Sequence, residues 1–186
     1  MRKLLLLALV AFLMQGCIGV FLAGAAVGGV AVYETRGHKS QANDHAIAVA
    51  AQKNIDTVPA LKKDSRIIIS SYNGAVLVTG ETPTQAEHQQ AIQIVRNTPG
   101  VKKVYDEITI GQPISFGTQS NDSWITTKVK SDLLAAKGLK SSDIKVITEN
   151  SVVYLIGSTT AKQAQIASNT ARQVSGVTKV VTLFNY

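Results

Sequence analysis

Of the 186 residues, one is cysteine, one is tryptophan, four are proline and only 17% are charged. A single thiol, Cys17, excludes an intrachain disulfide and a cysteine-rich metal site. His38, His45 and His88 are scattered without metal-ligand spacing. There is no G-x-S-x-G elbow and no P-loop, and the glycines from Gly24 to Gly29 have no neighbouring strand or lysine with which to cradle phosphate. The adjacent acids Asp106 and Glu107 fall on an expected strand, where their carboxylates point to opposite faces. His45 beside Asp44, at an expected helix start, reads as a solvated cap rather than a base. No catalytic constellation assembles from these residues, so the reading is a non-enzyme without metal or cofactor.

What is present begins at the amino terminus. Arg2 and Lys3 precede an uncharged apolar run from Leu4 to Met14 and then Gln15-Gly16-Cys17, the order of a secretory signal with a small residue before the cut. This arrangement resembles the lipobox of bacterial lipoproteins, with Met14 in place of the usual leucine. The resemblance implies a signal peptide over 1–16 and a Cys17 that is diacylated on sulfur and becomes the new amino terminus. Its acyl chains, palmitate among them, are the one covalent group expected. An uncleaved membrane helix is the alternative, because Leu4 to Val32 carries no charge and can span ~30 Å of hydrocarbon. Two acyl chains already anchor stably, at roughly 0.8 kcal/mol per buried CH₂. Ile18 stands where an aspartate would hold such a protein at the inner membrane, so the same resemblance implies the outer membrane, on its periplasmic side. Residues 17–43 read as lipidated cysteine and tether.

The rest of the chain is a duplication. Ile47, Ile55, Leu61, Asn73, Gly80, Arg96, Gly100 and Val104 align with Ile125, Leu133, Leu139, Asn150, Gly157, Arg172, Gly176 and Val180, at offsets that drift only from 78 to 76 residues. That spacing suits two small globular units, 44–110 and 122–186, joined by a short linker over 111–121. Each unit has about 65 residues, near the size where one core is only marginally sufficient, so the two are candidates to pack together. The first copy has seven basic and seven acidic side chains; the second has eight and four, a net charge of plus four. Such a domain near a bilayer is attracted to anionic headgroups, at ~1 kcal/mol per basic side chain at the surface, though a generally basic periplasmic surface gives the same count.

Each copy reads as helix, strand, turn, strand, helix, strand. Ile67 to Ser71 and Ala75 to Gly80 flank Asn73-Gly74, a strong hairpin signal because a type I′ turn needs positive φ at both central residues. In the second copy Ile144 to Thr148 and Val152 to Gly157 flank Asn150-Ser151, and the serine predicts a looser or different turn. Helices follow from Thr82-Pro83, with Thr82 as N-cap, and from Thr159. Each ends before a glycine and a last strand, Val101 to Ile110 or Val177 to Phe184. The fold class is α+β, with two helices on a three-stranded mixed sheet in each copy.

Gly80 or Gly157 after an apolar strand, an alanine-bearing helix, and then Gly100-Val101 or Gly176-Val177 resemble the BON domain of bacterial envelope and osmotic-stress proteins. The resemblance is densest at SNDSWITTKVKSDLL, KSSDIKVITEN and VSGV, and a lipobox followed by two such domains is similar to the dual-BON outer-membrane lipoproteins.

The copies differ most on their first helix. At 100° per residue, Ile125, Val129, Leu133 and Ala136 form one arc, while Trp124, Thr127, Lys128, Ser131, Leu134 and Ala135 lie opposite. The matching outward positions of the first copy are Ala46, Val49, Ala50, Lys53, Asp56 and Thr57, so the fold does not require an indole or a leucine there. Tryptophan suits a bilayer interface, and Lys128, Lys130 and Lys137 can reach phosphates while their stems cover apolar surface. Trp124 packed into a groove between the domains, or capping its own core, are the competing readings. The resemblance implies that this helix docks on phosphatidylglycerol and cardiolipin, supports outer-membrane integrity under envelope stress, and concentrates the protein at the site of cell division. A protein-binding role for the same face, toward outer-membrane assembly or cell-wall amidase-regulating proteins, is the alternative. Nucleic acid is excluded as a partner by the export signal and by the lack of a GXXG loop or an aromatic RNP pattern.

Overall fold

The structure, a computed structural model, describes residues 31–186. The signal sequence, Cys17 and the start of the tether lie outside the described residues. The first domain contains α1 (Ala31–Asp56), α2 (Pro59–Asp64), β1 (Arg66–Tyr72), β2 (Ala75–Thr82), α3 (Gln85–Arg96) and β3 (Lys103–Ile110). The second contains α4 (Phe116–Ala135), a 3-10 turn at Ser141–Asp143, β4 (Ile144–Glu149), β5 (Val152–Ser158), α5 (Ala161–Arg172) and β6 (Lys179–Asn185). In each sheet the hairpin is antiparallel and the last strand adds parallel to its second arm, giving the orders β1-β2-β3 and β4-β5-β6.

Several expected boundaries move, each for a local reason. The polar stretch expected to be tether is helical as far as it is described, and Ser40 fastens it by donating its hydroxyl to Asn73 Oδ1 at 2.5 Å. Residues 116–121 of the expected linker are the first turns of α4, because Ser115 caps the helix by accepting from the Thr118 N–H at 3.2 Å. Thr82 is the last residue of β2 rather than a cap. The cap is Thr84, whose hydroxyl accepts from the Glu87 N–H and donates to the Glu87 carboxylate. Thr84-x-x-Glu87 has the capping-box spacing, and it outweighs the helix-starting tendency of Pro83.

The two hairpin turns are alike, contrary to the looser or different turn expected at Asn150-Ser151. Asn73 and Gly74 have φ of 53° and 80°, and Asn150 and Ser151 have φ of 47° and 63°. An acid from the first helix of each domain holds each turn. Asp44 accepts from the Asn73 N–H (2.7 Å), the Gly74 N–H (3.0 Å) and the Ser71 hydroxyl (2.6 Å). Asp122 accepts from the Asn150 and Ser151 N–H groups, both at 2.8 Å. Asp44 is thus a mid-helix clamp on the hairpin, not a helix-start cap beside His45.

Side-chain alternation on the central strands builds three apolar layers. Val76 and Val78 face Ala51, Ile55, Ala91 and Val95 of the first domain's helices. Val153 and Leu155 face Ile125, Val129, Leu133, Ala167 and Ala171 of the second's. The opposite faces meet each other: Ala75 and Leu77 pack with Tyr154, Ile156 and Leu183. Residues 36–186 thereby form one compact unit, with helices outside and two sheets face to face within. Glycine is required on each central strand beside the start of its antiparallel neighbour, since a Cβ on Gly80 would lie 1.9 Å from the Arg66 carbonyl oxygen, and one on Gly157 would lie 2.2 Å from that of Asp143.

Polar groups ring the layer between the sheets. Arg66 pairs with Glu149 across it and lies 3.8 Å from Glu81 in its own domain. The Tyr154 hydroxyl donates to Glu107, and Lys145 donates to the Ser71 carbonyl at 3.3 Å. Burial pushes the Glu149 carboxyl above its ordinary value despite the opposing pull of Arg66, and burial lowers Lys145. Asp106 and Glu107 do face opposite ways: Asp106 accepts from or pairs with His88 Nε2 of α3 at 2.8 Å, while Glu107 meets Tyr154.

Candidate functional site

Helix α4 is fastened along one side and bare along the other. Ile125, Val129 and Leu133 are buried in the second domain's core. Asp122 grips the β4–β5 turn, and the Thr126 hydroxyl donates to Thr148 Oγ1 of β4 at 2.7 Å. These contacts fix both the rotation and the position of the helix, so its other face is presented in one orientation.

On that face Trp124 is 54% exposed and Leu134 77% exposed, and Thr127, Lys128, Lys130, Ser131 and Ala135 are exposed beside them. Trp124 neither fills the groove between the domains, which the two sheets occupy, nor caps its own core. Lys128 is held by Asp132 at 2.8 Å, an ion pair one helical turn apart. Lys130 projects from the helix without sharing that pair. Lys137 is exposed in the turn that follows Ala136, beyond the helix end, so it belongs to the face by proximity in sequence and not by helical phase.

A residue in the expected linker joins this set. Phe116, the first residue of α4, is 83% exposed. Gly117 and the polar residues around it mask a helix in the sequence. The signal that identifies it is Ser115 three residues before Thr118, followed by helical spacing that carries Phe116 into phase with Leu134.

Among the described side chains of the first domain's α1, from Ser40 onward, Val49 is the one large apolar group exposed, flanked by Ala46, Lys53 and Asp56. A shallow groove between α1 and the β1–β2 turn is lined by Asp44, Ile47, Asn73, Gly100 and Lys102, and its one carboxylate already accepts three hydrogen bonds from the hairpin. Among the described residues, no group of three or more His, Cys, Asp or Glu side chains is placed to hold a metal ion, and no helix is long and apolar enough to cross a membrane.

Comparison with known proteins agrees with this architecture. The BON domain matches twice, at residues 43–112 and 121–186. The chain belongs to the family of BON-domain outer-membrane lipoproteins. It is 34% identical over its whole length to the outer membrane lipoprotein DolP of Haemophilus influenzae, covering 96% of that protein. It is 39% identical over 153 residues to the 21 kDa hemolysin of Actinobacillus pleuropneumoniae, covering 82% of this chain and 79% of that one. Among solved structures, the C-terminal domain of CdsD, a structural protein of the type III secretion system of Chlamydia trachomatis, shares 11% identity at a TM-score of 0.31, over 74% of this chain and 96% of that one. That likeness is too low to bear on fold or function. Within the BON family, then, this chain joins two domains through their sheets and leaves one helix face of the second uncovered.

Proposed function

We propose that this BON-domain lipoprotein is a non-catalytic module that docks the outward face of α4 on anionic phospholipid of the outer membrane, on the periplasmic side. The observation that carries the reading is an apolar pair, Trp124 and Leu134, left in solvent by a helix whose other face is sealed into the core. Trp124 and Leu134 with Ala135 enter the interface, and Lys128, Lys130 and Lys137 meet phosphates, while Thr127 and Ser131 lie between. Burying one large apolar side chain contributes about 1.5–3 kcal/mol, and each lysine at an anionic surface about 1 kcal/mol.

Those contributions suffice because the anchor makes docking intramolecular. A chain tethered through acylated Cys17 meets the bilayer at an effective concentration on the order of millimolar. A helix of only millimolar intrinsic affinity, about −4 kcal/mol, is then substantially docked. Family resemblance extends the proposal to outer-membrane integrity and to enrichment at the division site, through phosphatidylglycerol and cardiolipin.

Trp124 is the only tryptophan, so the protein reports its own docking. Its emission is expected to shift to the blue on liposomes containing phosphatidylglycerol and to stay unchanged on phosphatidylcholine alone. Leu134→Asp is expected to remove the response without loss of fold, since Leu134 touches solvent. An unshifted wild-type spectrum, together with capture of an envelope-assembly or amidase-regulating protein through the same face, would replace the lipid reading with the protein-binding one.

A further inference from the structure

We propose that the docking face begins at Phe116 and runs the full length of α4, so that the helix lies flat on an anionic bilayer on three apolar anchors, Phe116, Trp124 and Leu134. The proposal rests on the lipid-docking reading and gives it an orientation. Phe116 and Leu134 are 18 residues apart, five whole turns at 3.6 residues per turn, so they point in the same direction about 27 Å apart along the axis. Trp124 lies between them, about 80° round the helix. An insertion by one end of the helix would leave Phe116 or Leu134 in water; contact along the side wets neither.

Chemistry along the line between the anchors favours lipid over a protein groove. The Thr127 hydroxyl donates to the Ser123 carbonyl oxygen and the Ser123 hydroxyl to that of Gln119, both at 3.0 Å. These donors are spent within the helix, so desolvating them costs little, and they offer a protein partner few directional contacts. Lys128 and Lys130 emerge on opposite sides of the line, where an interfacial helix carries its cations.

The test uses the full acylated chain in phosphatidylcholine liposomes with and without phosphatidylglycerol. The wild type reports from Trp124, and the double variant Phe116→Trp, Trp124→Phe moves the single reporter to the helix start. Both positions are exposed, so the fold should persist, and far-UV circular dichroism checks that it does. Emission is read with iodide quenching from water and brominated-lipid quenching from within the bilayer. We expect both reporters to shift to the blue with phosphatidylglycerol, to lose iodide quenching and to gain bromolipid quenching. A response at 124 with position 116 still open to iodide overturns the flat orientation and leaves lipid docking standing. No response at either position overturns docking itself, and this proposal with it. Protection from iodide without bromolipid quenching means that protein covers the face and also overturns it.

Discussion

Asp122 shows how one buried acid can carry a structural role that looks functional in sequence. It lies among Trp124 and Lys128 in the run that marks the family, yet its two oxygens hold the Asn150 and Ser151 N–H groups. Bonds to a charged acceptor contribute about 1.5–3 kcal/mol, so Asp122→Ala is expected to lower stability by about 2 kcal/mol in urea titration. Ser151 is a milder case. Its left-handed φ of 63° costs roughly 1–2 kcal/mol in a residue other than glycine. Ser151→Gly relieves that cost and adds about 0.5–1 kcal/mol of chain entropy, so a gain of about 0.5 kcal/mol is expected in the same titration. Neither effect was legible in the sequence, because helical phase identifies Asp122 as near the core but not its partner 28 residues away. Asn73-Gly74, by contrast, announced its turn, since that pair is rarely found where positive φ is not needed.

The middles of the helices and strands were largely legible in the sequence. Ile125, Val129 and Leu133 mark α4's inner face, and the sheet strands appear as short apolar runs between turns. Starts were less legible: α4 begins inside a stretch whose Gly117, Ser120 and Asn121 resemble a linker, and only the bond from Thr118 to Ser115 fixes its first turn. The candidate face inherited that error: the exposed Trp124 and Leu134 were legible in the sequence, and the likewise exposed Phe116 was not. Between elements, the contact of β1 with β4 is set by Arg66 and Glu149, a pair separated by 83 residues that no local pattern announces. Burial is the largest influence on Glu149 and raises its carboxyl above an ordinary value near 4.5. The folded state therefore binds this proton more readily than the unfolded chain does, and the stability contributed by Glu149 is full below about pH 4.5 and lost as pH rises through the raised value. Glu149→Gln cannot ionise but still accepts from Arg66. It should match the wild type near pH 4 and equal or exceed it at pH 8, as measured by urea midpoints across that range. A variant that weakens progressively as pH rises would show that the Arg66 pair outweighs the cost of burying the charge.

At the scale of the whole molecule, the duplication is resolved into one body by the layer between the sheets. Two copies of about 65 residues each have marginal cores, and the apolar character of β2 and β5 on both faces shows that each central strand needs cover on a second side. That cover is the other domain. Its consequence for the proposed docking is geometric: α4 is held by its own sheet, that sheet by the first domain, and so the orientation of the exposed face is fixed by both copies. The same layer makes the domains thermodynamically one unit. Leu77 lies in it, fully buried on the first domain's central strand and packed with residues of the second. Leu77→Ala is expected to cost about 2–5 kcal/mol, as other large-to-small core changes do. In calorimetry the wild type should unfold in a single transition whose calorimetric and van't Hoff enthalpies agree, and Leu77→Ala should lower it as a whole. Two resolved transitions, with the substitution moving only one, would mean that the copies are stable separately and that the sheets merely rest on each other. A single transition that shifts entire ties the stability of α4, the helix proposed to dock, to a leucine in the other domain.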